Sequence, residues 1–395
     1  MSPVSKVTEQ IYLKSKAENF AGEDPFDGLN SKVFDFFPFL KNGLFGLAWT
    51  QFFKRSRLNF RPFFGVPKKR NPKGIALFIL GLIQEFKLKG TNHSIEEAVA
   101  LADWLIDNQC EKKMWNHSCW GYHFDWKARA FFVPKGKPNV ISTIYVAQAL
   151  YQLSGLLEGL DFEKAEKYKE AAFNSADFIV ETLYTKDEKN EFFAYIPGEK
   201  AFVHNASLWA AAWVSVVAAE KNNKKYAELA IKVARQSVDA QNNDGSWVYG
   251  TRSHHQFIDG FHTGYNLEAL NLIRESLGIS EFDSSISSGY EFYKQNLFEA
   301  DGTAKYYHNN KYPLDPHSVS QAIITISKLG ESLTDKELLE NVINKAISEL
   351  YLEVKGQFVY QKTKSHTNSI NYMRWTQAWM YYSLSLYSLN RENDE

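Results

Sequence analysis

The sequence has only two cysteines, and their positions exclude a cysteine-based framework. Cys110 and Cys119 form neither a CxxC pair nor a zinc-ligand pattern. A disulfide-rich scaffold is therefore excluded, and so few cysteines are typical of a reducing compartment.

Long apolar runs and long basic blocks are also missing. The longest apolar run, residues 74–83, is too short to span a bilayer, and residues 1–20 lack the apolar core of a signal peptide. Lys and Arg total 45 against 46 Asp and Glu, so the basic surface expected of a nucleic-acid-binding protein is absent. We expect a cytoplasmic protein that does not bind nucleic acid.

One segment leaves the membrane question open. Residues 34–64 are rich in Phe and contain Lys54, Arg55, Arg57 and Arg61. This segment could contact a membrane surface, which would make the protein membrane-peripheral. Alternatively it forms the first helix pair and turns its aromatic face to the core, which is the interpretation we favour.

Aromatic residues are abundant, and five of them mark an internal repeat. Short aromatic segments centre on the tyrosines at 122, 195, 249, 306 and 360, each between two helical stretches. The preceding stretches have apolar residues at three- and four-residue spacing and a polar opposite face, which predicts outward-facing helices at 94–109, 162–183, 224–241, 284–296 and 335–350. The following stretches are apolar on nearly every face, which predicts buried helices at 139–153, 205–219, 263–275, 318–328 and 372–389.

An earlier stretch, residues 72–86, is also of the buried kind, and the segment before it could supply an outer partner. Six such pairs can close into an all-α (α/α)6 toroid, although an open solenoid is an alternative. We predict a single toroid domain over residues 1–395, with residues 1–32 as an N-terminal extension.

In such a ring the loops from outer to inner helices converge on one rim, and here these are the long loops. Nine of the ten histidines lie in them or at the start of the next helix, the exception being His93. Candidate catalytic residues are Asp259, His262, His204, Tyr265, Asp315 and His317. Candidate substrate-binding residues are Trp120, Tyr122, Asp125, Arg129, Trp209, Trp247, Tyr249, Arg252, Tyr306, Tyr372, Arg374 and Trp375.

Simpler interpretations accompany these candidates. Asp259 and Asp315 each precede a predicted helix and could be N-caps. His254, His255, Asp259 and His262 are ligand types that zinc accepts, but their spacing matches no known metal motif. We therefore expect neither a metal nor a cofactor.

Three resemblances bear on function. The stretch 241–247, QNNDGSW, resembles the QxxDGSW repeat of squalene-hopene cyclase and prenyltransferase toroids, which implies a helical toroid. The chain contains neither DxDD nor DDxxD, so terpene cyclisation is not expected. The stretch 259–263, DGFHT, resembles a D-Y-H-T stretch in the helical domain of glucuronyl C5-epimerases, which implies sugar chemistry.

The third resemblance covers most of the chain. Residues 24–31, 59–62 and 120–138 resemble an uncharacterised toroid family associated with bacterial capsule and O-antigen biosynthesis. This resemblance implies a role in surface polysaccharide synthesis, with other proteins of that process as possible partners.

We therefore expect a carbohydrate-active enzyme that acts on a glycan or small sugar ligand containing a uronate. Arg129, Arg252 and Arg374 could bind the carboxylate. An epimerase or lyase needs a base such as His262, His204 or Tyr265, whereas a hydrolase needs two carboxylates from Asp125, Asp259 and Asp315. The excess of His and Tyr favours proton abstraction. A non-catalytic scaffold that holds a glycan or a lipid-linked intermediate is one alternative, and an isoprenoid-handling enzyme is another.

Overall fold

A computed structural model describes residues 2–127 and 132–394. This part of the chain is mainly helical. Its fifteen α-helices are α1 (Pro3–Ala17), α2 (Val33–Phe36), α3 (Gly43–Arg55), α4 (Pro72–Lys89), α5 (Asn92–Asp107), α6 (Lys112–Trp115), α7 (Val140–Leu157), α8 (Phe162–Phe178), α9 (His204–Glu220), α10 (Lys224–Val238), α11 (Gly260–Leu277), α12 (Asp283–Asn296), α13 (Pro316–Leu329), α14 (Leu333–Leu350) and α15 (Ala378–Asp394).

Six helices form a closed inner ring. Helices α4, α7, α9, α11, α13 and α15 pack each against the next, and α15 packs against α4. Their apolar residues cover almost the whole circumference, so nearly every side chain of α9 between His204 and Ala218 is buried. The chain is therefore a closed (α/α)6 toroid, as the sequence predicts, and not an open solenoid.

The other long helices surround this ring, and one of them lies where the sequence did not place it. Helices α5, α8, α10, α12 and α14 pack outside the inner helices with one apolar stripe each. The sixth outer position is taken by α1, which packs against α15 through Val7, Ile11 and other buried residues at helical spacing. From the sequence we expected the segment directly before α4 to supply the sixth outer helix. That expectation is wrong, because the sixth outer helix is α1, within the predicted extension of residues 1–32.

Residues 34–64 instead form a separate aromatic unit beside one end of the ring. Helices α2 and α3 flank a 3-10 turn, Pro38–Lys41, and α3 contacts the 3-10 turn Asp27–Asn30. Phe34 and Phe53 are buried, but Phe36, Phe39 and Phe63 are exposed. The expectation that this segment turns its aromatic face to the core is therefore only partly correct.

The outer-to-inner loops contain short antiparallel ladders. Each pairs two strands, with Trp126 opposite Val133, Tyr184 opposite Phe193, Tyr351 opposite Phe358 and Gln361 opposite Asn368. The strands are β1 (Trp126–Lys127), β2 (Phe132–Val133), β3 (Tyr184–Lys186), β4 (Glu191–Phe193), β5 (Tyr351–Leu352), β6 (Gln357–Phe358), β7 (Gln361–Lys362) and β8 (Thr367–Asn368).

The starts of the inner helices lie at the rim that carries these loops, and several have polar caps. The side chains of Asn71, Asn139, Asp259 and Asp315 accept backbone N–H bonds at the starts of α4, α7, α11 and α13. By length and hydropathy α7 could cross a membrane, but 72% of it is buried in the ring, as is usual for a core helix.

Candidate functional site

A cavity of about 430 Å³ opens at the rim where the inner helices begin. All six inner helices contribute to its wall from their first residues or from the turn Met373–Gln377 that precedes α15. These contributions include Lys73, Ile141, Asn205, His262, His317 and Arg374. Aromatic side chains from the long loops complete the wall, among them Tyr122, Trp126, Tyr195, Tyr249, Tyr306 and Trp375. A cavity of this size and lining suits a sugar of one or two rings.

The strongest catalytic feature in this wall is a His–Asp pair. Nδ1 of His262 lies 2.7 Å from Oδ2 of Asp259, and the backbone N–H of His262 donates to Oδ1 at 2.8 Å. The Asp259 side chain is 1% exposed, whereas the His262 ring lines the cavity. Because the carboxylate favours a proton on Nδ1, Nε2 is left as a base for a substrate.

A second polar chain runs along the cavity wall through Tyr265. Its hydroxyl lies 3.2 Å from Nε2 of His317 and accepts a hydrogen bond from Nζ of Lys73 at 3.2 Å. Nδ1 of His317 is buried and has no partner among the described residues. Burial, followed by the nearby charges of Lys73 and Arg374, lowers the pKa of His317 well below its usual value, so this imidazole is neutral.

Lys73 lies in an aromatic cage and forms no ion pair with the residues that the structure describes. Its Nζ is 4.8 Å from the ring centres of Tyr145 and Trp379 and 5.7 Å from that of Tyr265. Burial lowers the pKa of Lys73 well below the usual lysine value, and the charge of Arg374 acts in the same direction. An amine in this environment gives up its proton more easily than a surface lysine does.

Arg374 reaches the cavity, but its guanidinium is already paired. Its Nε and Nη2 donate to the two carboxylate oxygens of Asp24 at 2.6 and 2.9 Å. A neighbouring buried pair joins Arg61 to Asp27 at 2.6 Å, and Nη2 of Arg61 donates to the backbone oxygen of Asp24. We expected Arg374 to form a bidentate ion pair with a substrate carboxylate. It forms that pair with Asp24 of the protein instead.

Arg252, the second arginine expected to bind a substrate carboxylate, is also paired within the protein. Its Nη2 donates to Oε1 of Glu199 at 2.5 Å. Glu199 is the one carboxylate among the described residues that line the cavity. The wall thus combines histidines, tyrosines and lysines with a single, ion-paired acid.

The structure brings together eight of the predicted site residues at this cavity, namely Tyr122, Tyr249, His262, Tyr265, Tyr306, His317, Arg374 and Trp375. Asp259 supports them from behind through His262. Asp315 is fully buried, where it caps α13 and accepts hydrogen bonds from Gln361 at 2.7 Å and from the indole of Trp375 at 3.4 Å. Both carboxylates therefore act as caps and as supports for cavity residues, and neither borders the cavity.

The remaining predictions need correction because these side chains are used inside the fold. The indole N–H groups of Trp120 and Trp247 donate to the backbone oxygens of Leu105 and Ser237, both at 2.8 Å. His204 is buried against Ser237, with Nδ1 3.0 Å from the hydroxyl oxygen. Trp120 and Trp247 thus hold their loops to α5 and α10, His204 joins α9 to α10, and none of the three is among the described residues that line the cavity.

Four further candidates also lie away from the cavity wall or outside the described residues. Tyr372 is buried and accepts a hydrogen bond from Arg61 at 2.9 Å. Trp209 packs behind the wall against Tyr145 and Tyr265, and Asp125 forms an ion pair with Lys41 at 2.6 Å. Arg129 lies outside the described residues.

Sequence reasoning missed Lys73 and Asp24, and it did not include Asn205 among the candidate site residues. Lys73 and Asn205 lie one or two residues into inner helices, the same position that singled out the histidines, so this rule could have found them. Asn205 lines the cavity, and its Oδ1 is buried without a partner among the described residues, so it is a further candidate for ligand binding. Asp24 is distant in sequence from Arg374, and no local pattern reveals their pairing.

The fold matches known sugar-processing enzymes, whereas the sequence matches no known family. No family matches the chain, and no curated protein is significantly similar to it. Among solved structures, an unsaturated glucuronyl hydrolase specific for heparin has a TM-score of 0.59 at 12% identity, covering 85% of this chain and 90% of its own. A GH76 α-mannanase from Bacteroides thetaiotaomicron has a TM-score of 0.61 at 11% identity, covering 82% and 87%. The cellobiose 2-epimerase of Spirochaeta thermophila has a TM-score of 0.58 at 15% identity, covering 82% and 86%.

Proposed function

We propose that this protein is a carbohydrate-active enzyme that moves a proton at a sugar carbon atom, as epimerases and isomerases do. The observation that carries the proposal is the His262–Asp259 pair at the cavity wall. The likeness of the fold to a cellobiose 2-epimerase and to other sugar-processing enzymes supports it.

In this proposal a reducing sugar binds with its rings against the aromatic wall. Nε2 of His262 removes the proton from the carbon atom next to the open-chain carbonyl, and the electron pair moves onto the carbonyl oxygen to give an enediolate. The imidazolium that forms is stabilised by Asp259. His317 is poorly suited to act as a general acid, because its lowered pKa disfavours the cation and its Nε2 already contacts the Tyr265 hydroxyl.

The return of the proton decides the product. If His262 returns it to the former carbonyl carbon, and the hydroxyl proton of the carbon atom that lost it passes to the former carbonyl oxygen, an aldose becomes a ketose. If a second group delivers a proton to the opposite face of the same carbon atom, the product is an epimer. The Tyr265 hydroxyl, hydrogen-bonded to Lys73 and His317, is the candidate for that second group.

A hydrolase is less well supported by this wall. Glycoside hydrolysis needs two carboxyl groups on either side of the bond, and Glu199 is the one lining carboxylate of the described residues. The three acids expected for this role are bound elsewhere: Asp125 to Lys41, Asp259 to His262 and Asp315 to the start of α13.

A uronate substrate is the second candidate, and Lys54 is the observation that favours it. This lysine lines the cavity, 4.8 Å from the ring centre of Phe26, and forms no ion pair with the described residues. Burial lowers the pKa of Lys54, and a substrate carboxylate would offset that cost by pairing with the ammonium group. The place of such a sugar in capsule or O-antigen synthesis stays a prediction.

The test is hydrogen exchange into sugars in deuterated water. The purified protein would be incubated with neutral reducing mono- and disaccharides and with uronate sugars, and proton NMR would follow loss of the signal next to the carbonyl. We expect exchange with a neutral sugar, together with a new epimer or ketose. His262→Asn should lower the rate about 10²-fold or more, as expected for loss of a general base.

Two further variants sharpen this test. Asp259→Asn keeps an oxygen to cap α11 but removes the charge behind His262, so it should also lower the rate. His117→Asn is the matched control, because His117 lies outside the cavity and contacts Glu181 at 2.8 Å. Unchanged exchange in His262→Asn would contradict the proposal. Exchange confined to uronates and lost in Lys54→Gln would establish the second candidate, and saturable binding without turnover would point to a scaffold.

A further inference from the structure

Helix α3 has its apolar side turned the wrong way for a globular protein. Leu44, Phe45, Ala48, Phe52 and Arg55 lie within about a third of the helix circumference, and all five are exposed. The opposite side, Gly46, Thr50 and Phe53, is buried. A surface helix normally buries its larger apolar residues. The exposed apolar side of α3 therefore indicates a surface that contacts an apolar partner.

The rest of the segment exposes further apolar side chains. Of the fourteen exposed large hydrophobic side chains among the described residues, eight fall within residues 36–63. They are Phe36, Phe37, Phe39, Leu44, Phe45, Phe52, Leu58 and Phe63, and we name them the aromatic face. Exposed apolar residues are usually scattered, so their concentration in one short segment marks an interaction surface.

The same segment carries a strong positive charge. Residues 32–70 contain nine Lys and Arg but one acidic residue, Asp35, whereas the whole chain has a net charge of -1. Lys32, Arg55, Arg57 and Lys69 are exposed and form no ion pair with the described residues. A segment that combines exposed apolar side chains with unpaired cations is complementary to anionic lipid headgroups above an acyl layer.

The aromatic face is held on an ordered support. The indole of Trp49 donates to the backbone oxygen of Gly28 at 2.9 Å and contacts the rings of Phe53 and Phe64. The fully buried Arg61–Asp27 pair fixes the following loop. The exposed Phe and Leu side chains are thus presented from a packed unit and do not result from local unfolding.

We propose that the aromatic face binds to the surface of an anionic lipid bilayer. The Phe and Leu side chains enter the boundary between headgroups and acyl chains, and Lys32, Arg55, Arg57 and Lys69 contact the lipid phosphates. Because Leu47, Gln51 and Lys54 of the same helix line the cavity, binding places the cavity mouth next to the bilayer. This inference does not depend on the reaction catalysed.

The test is sedimentation of the full chain with two kinds of vesicle, one of phosphatidylcholine alone and one of equal parts phosphatidylcholine and phosphatidylglycerol. We expect binding to the anionic vesicles that weakens as salt is added. Arg55→Gln combined with Arg57→Gln should weaken it about 30-fold, from about 5-fold for each charge near the surface. The triple variant Phe36→Ser, Leu44→Ser and Phe63→Ser should weaken it at least roughly 10-fold, since these side chains are largely exposed in the free protein.

The matched control removes largely exposed apolar side chains elsewhere, with Leu160→Ser, Phe162→Ser and Leu333→Ser. It should bind anionic vesicles like the wild type, and thermal melting should show that all variants are folded. The proposal is overturned if the wild type stays in the supernatant with both kinds of vesicle, or if both triple variants bind equally. It is also overturned if the wild type is a dimer without lipid and only the aromatic-face variant is a monomer, because the face then binds a second copy of the chain.

Discussion

The two oxygens of Asp259 accept hydrogen bonds from the same residue, one from the backbone N–H of His262 and one from its ring. The sequence presents capping and catalysis as alternatives at this position, yet the geometry allows both, because a carboxylate has two oxygens. Asp315 repeats the arrangement with the backbone of His317 on one oxygen and Gln361 on the other. A cap at the start of an inner helix therefore also positions the cavity wall.

Buried histidines should make the stability of this protein fall in mild acid. Burial lowers the pKa of His204 to about 4, against about 6.5 in an unfolded chain. The unfolded state takes up the proton first, so this contribution is complete above pH 6.5 and is lost as the pH falls towards 4. It amounts to about 3 kcal/mol. His204→Asn should therefore have a shallower dependence of Tm on pH between 7 and 4.5 than the wild type.

The control for this measurement is His366→Asn, which changes a partly exposed histidine. It should keep the wild-type slope. Burial raises the pKa values of Asp27 and Asp315 to about 7 and about 6, so these two residues change the pH dependence of stability in the opposite direction. Both are present in the wild type and in the two variants, so they do not affect the comparison. Equal slopes for His204→Asn and the wild type would refute the assignment.

At the scale of the helix, hydrophobic periodicity alone identified the inner and outer kinds. The predicted stretch 205–219 is α9, and 162–183 is α8 followed by the π-helical turn Ile179–Leu183. Periodicity succeeded because each inner helix is enclosed on all sides and each outer helix on one. It failed for α3, since an apolar stripe shows that a helix is amphipathic but not which side faces the core.

Close packing between inner helices predicts the effect of a single methyl group. A Cβ on Gly81 of α4 would lie 2.5 Å from the ring of buried Tyr381 on α15. Gly81→Ala should therefore cost about 1–3 kcal/mol despite the better helix propensity of alanine. Gly155 of α7 is exposed, with no atom near the same position, so Gly155→Ala should stabilise by up to about 1 kcal/mol. Urea denaturation of both variants checks this, and equal changes would contradict it.

At the scale of the whole molecule, the ring closes between the two ends of the chain. Helix α15 packs against α4 on the inside, and α1 covers α15 on the outside. Lys14 of α1 also donates to Gln357 at 2.8 Å and to the backbone of Lys355. The first helix thus belongs to the toroid, which supports treating the chain as one domain, although that boundary stays a prediction.

If α1 is part of the cooperative unit, changing its buried face should destabilise the whole protein. Ile11 is 1% exposed, so Ile11→Ala should lower the free energy of unfolding by about 2–4 kcal/mol. Leu13, 55% exposed on the same helix, should tolerate alanine within about 0.5 kcal/mol. Urea unfolding followed by far-UV circular dichroism and by tryptophan fluorescence should show one shared transition. If Ile11→Ala shifts only a small, separate unfolding transition, residues 1–17 unfold independently and are not part of the cooperative unit.

The sequence by itself determined the features that repeat locally: the alternation of buried and amphipathic helices and the long loops rich in His and Tyr. These depend on spacing along a few turns, which the sequence displays directly. The tertiary structure decided which helix closes the ring, why Trp375 lines the cavity while Trp120 bonds to Leu105, and how Asp24 comes to hold Arg374. These outcomes depend on the direction of a side chain and on contacts between residues hundreds of positions apart, and packing of the whole ring alone fixes both.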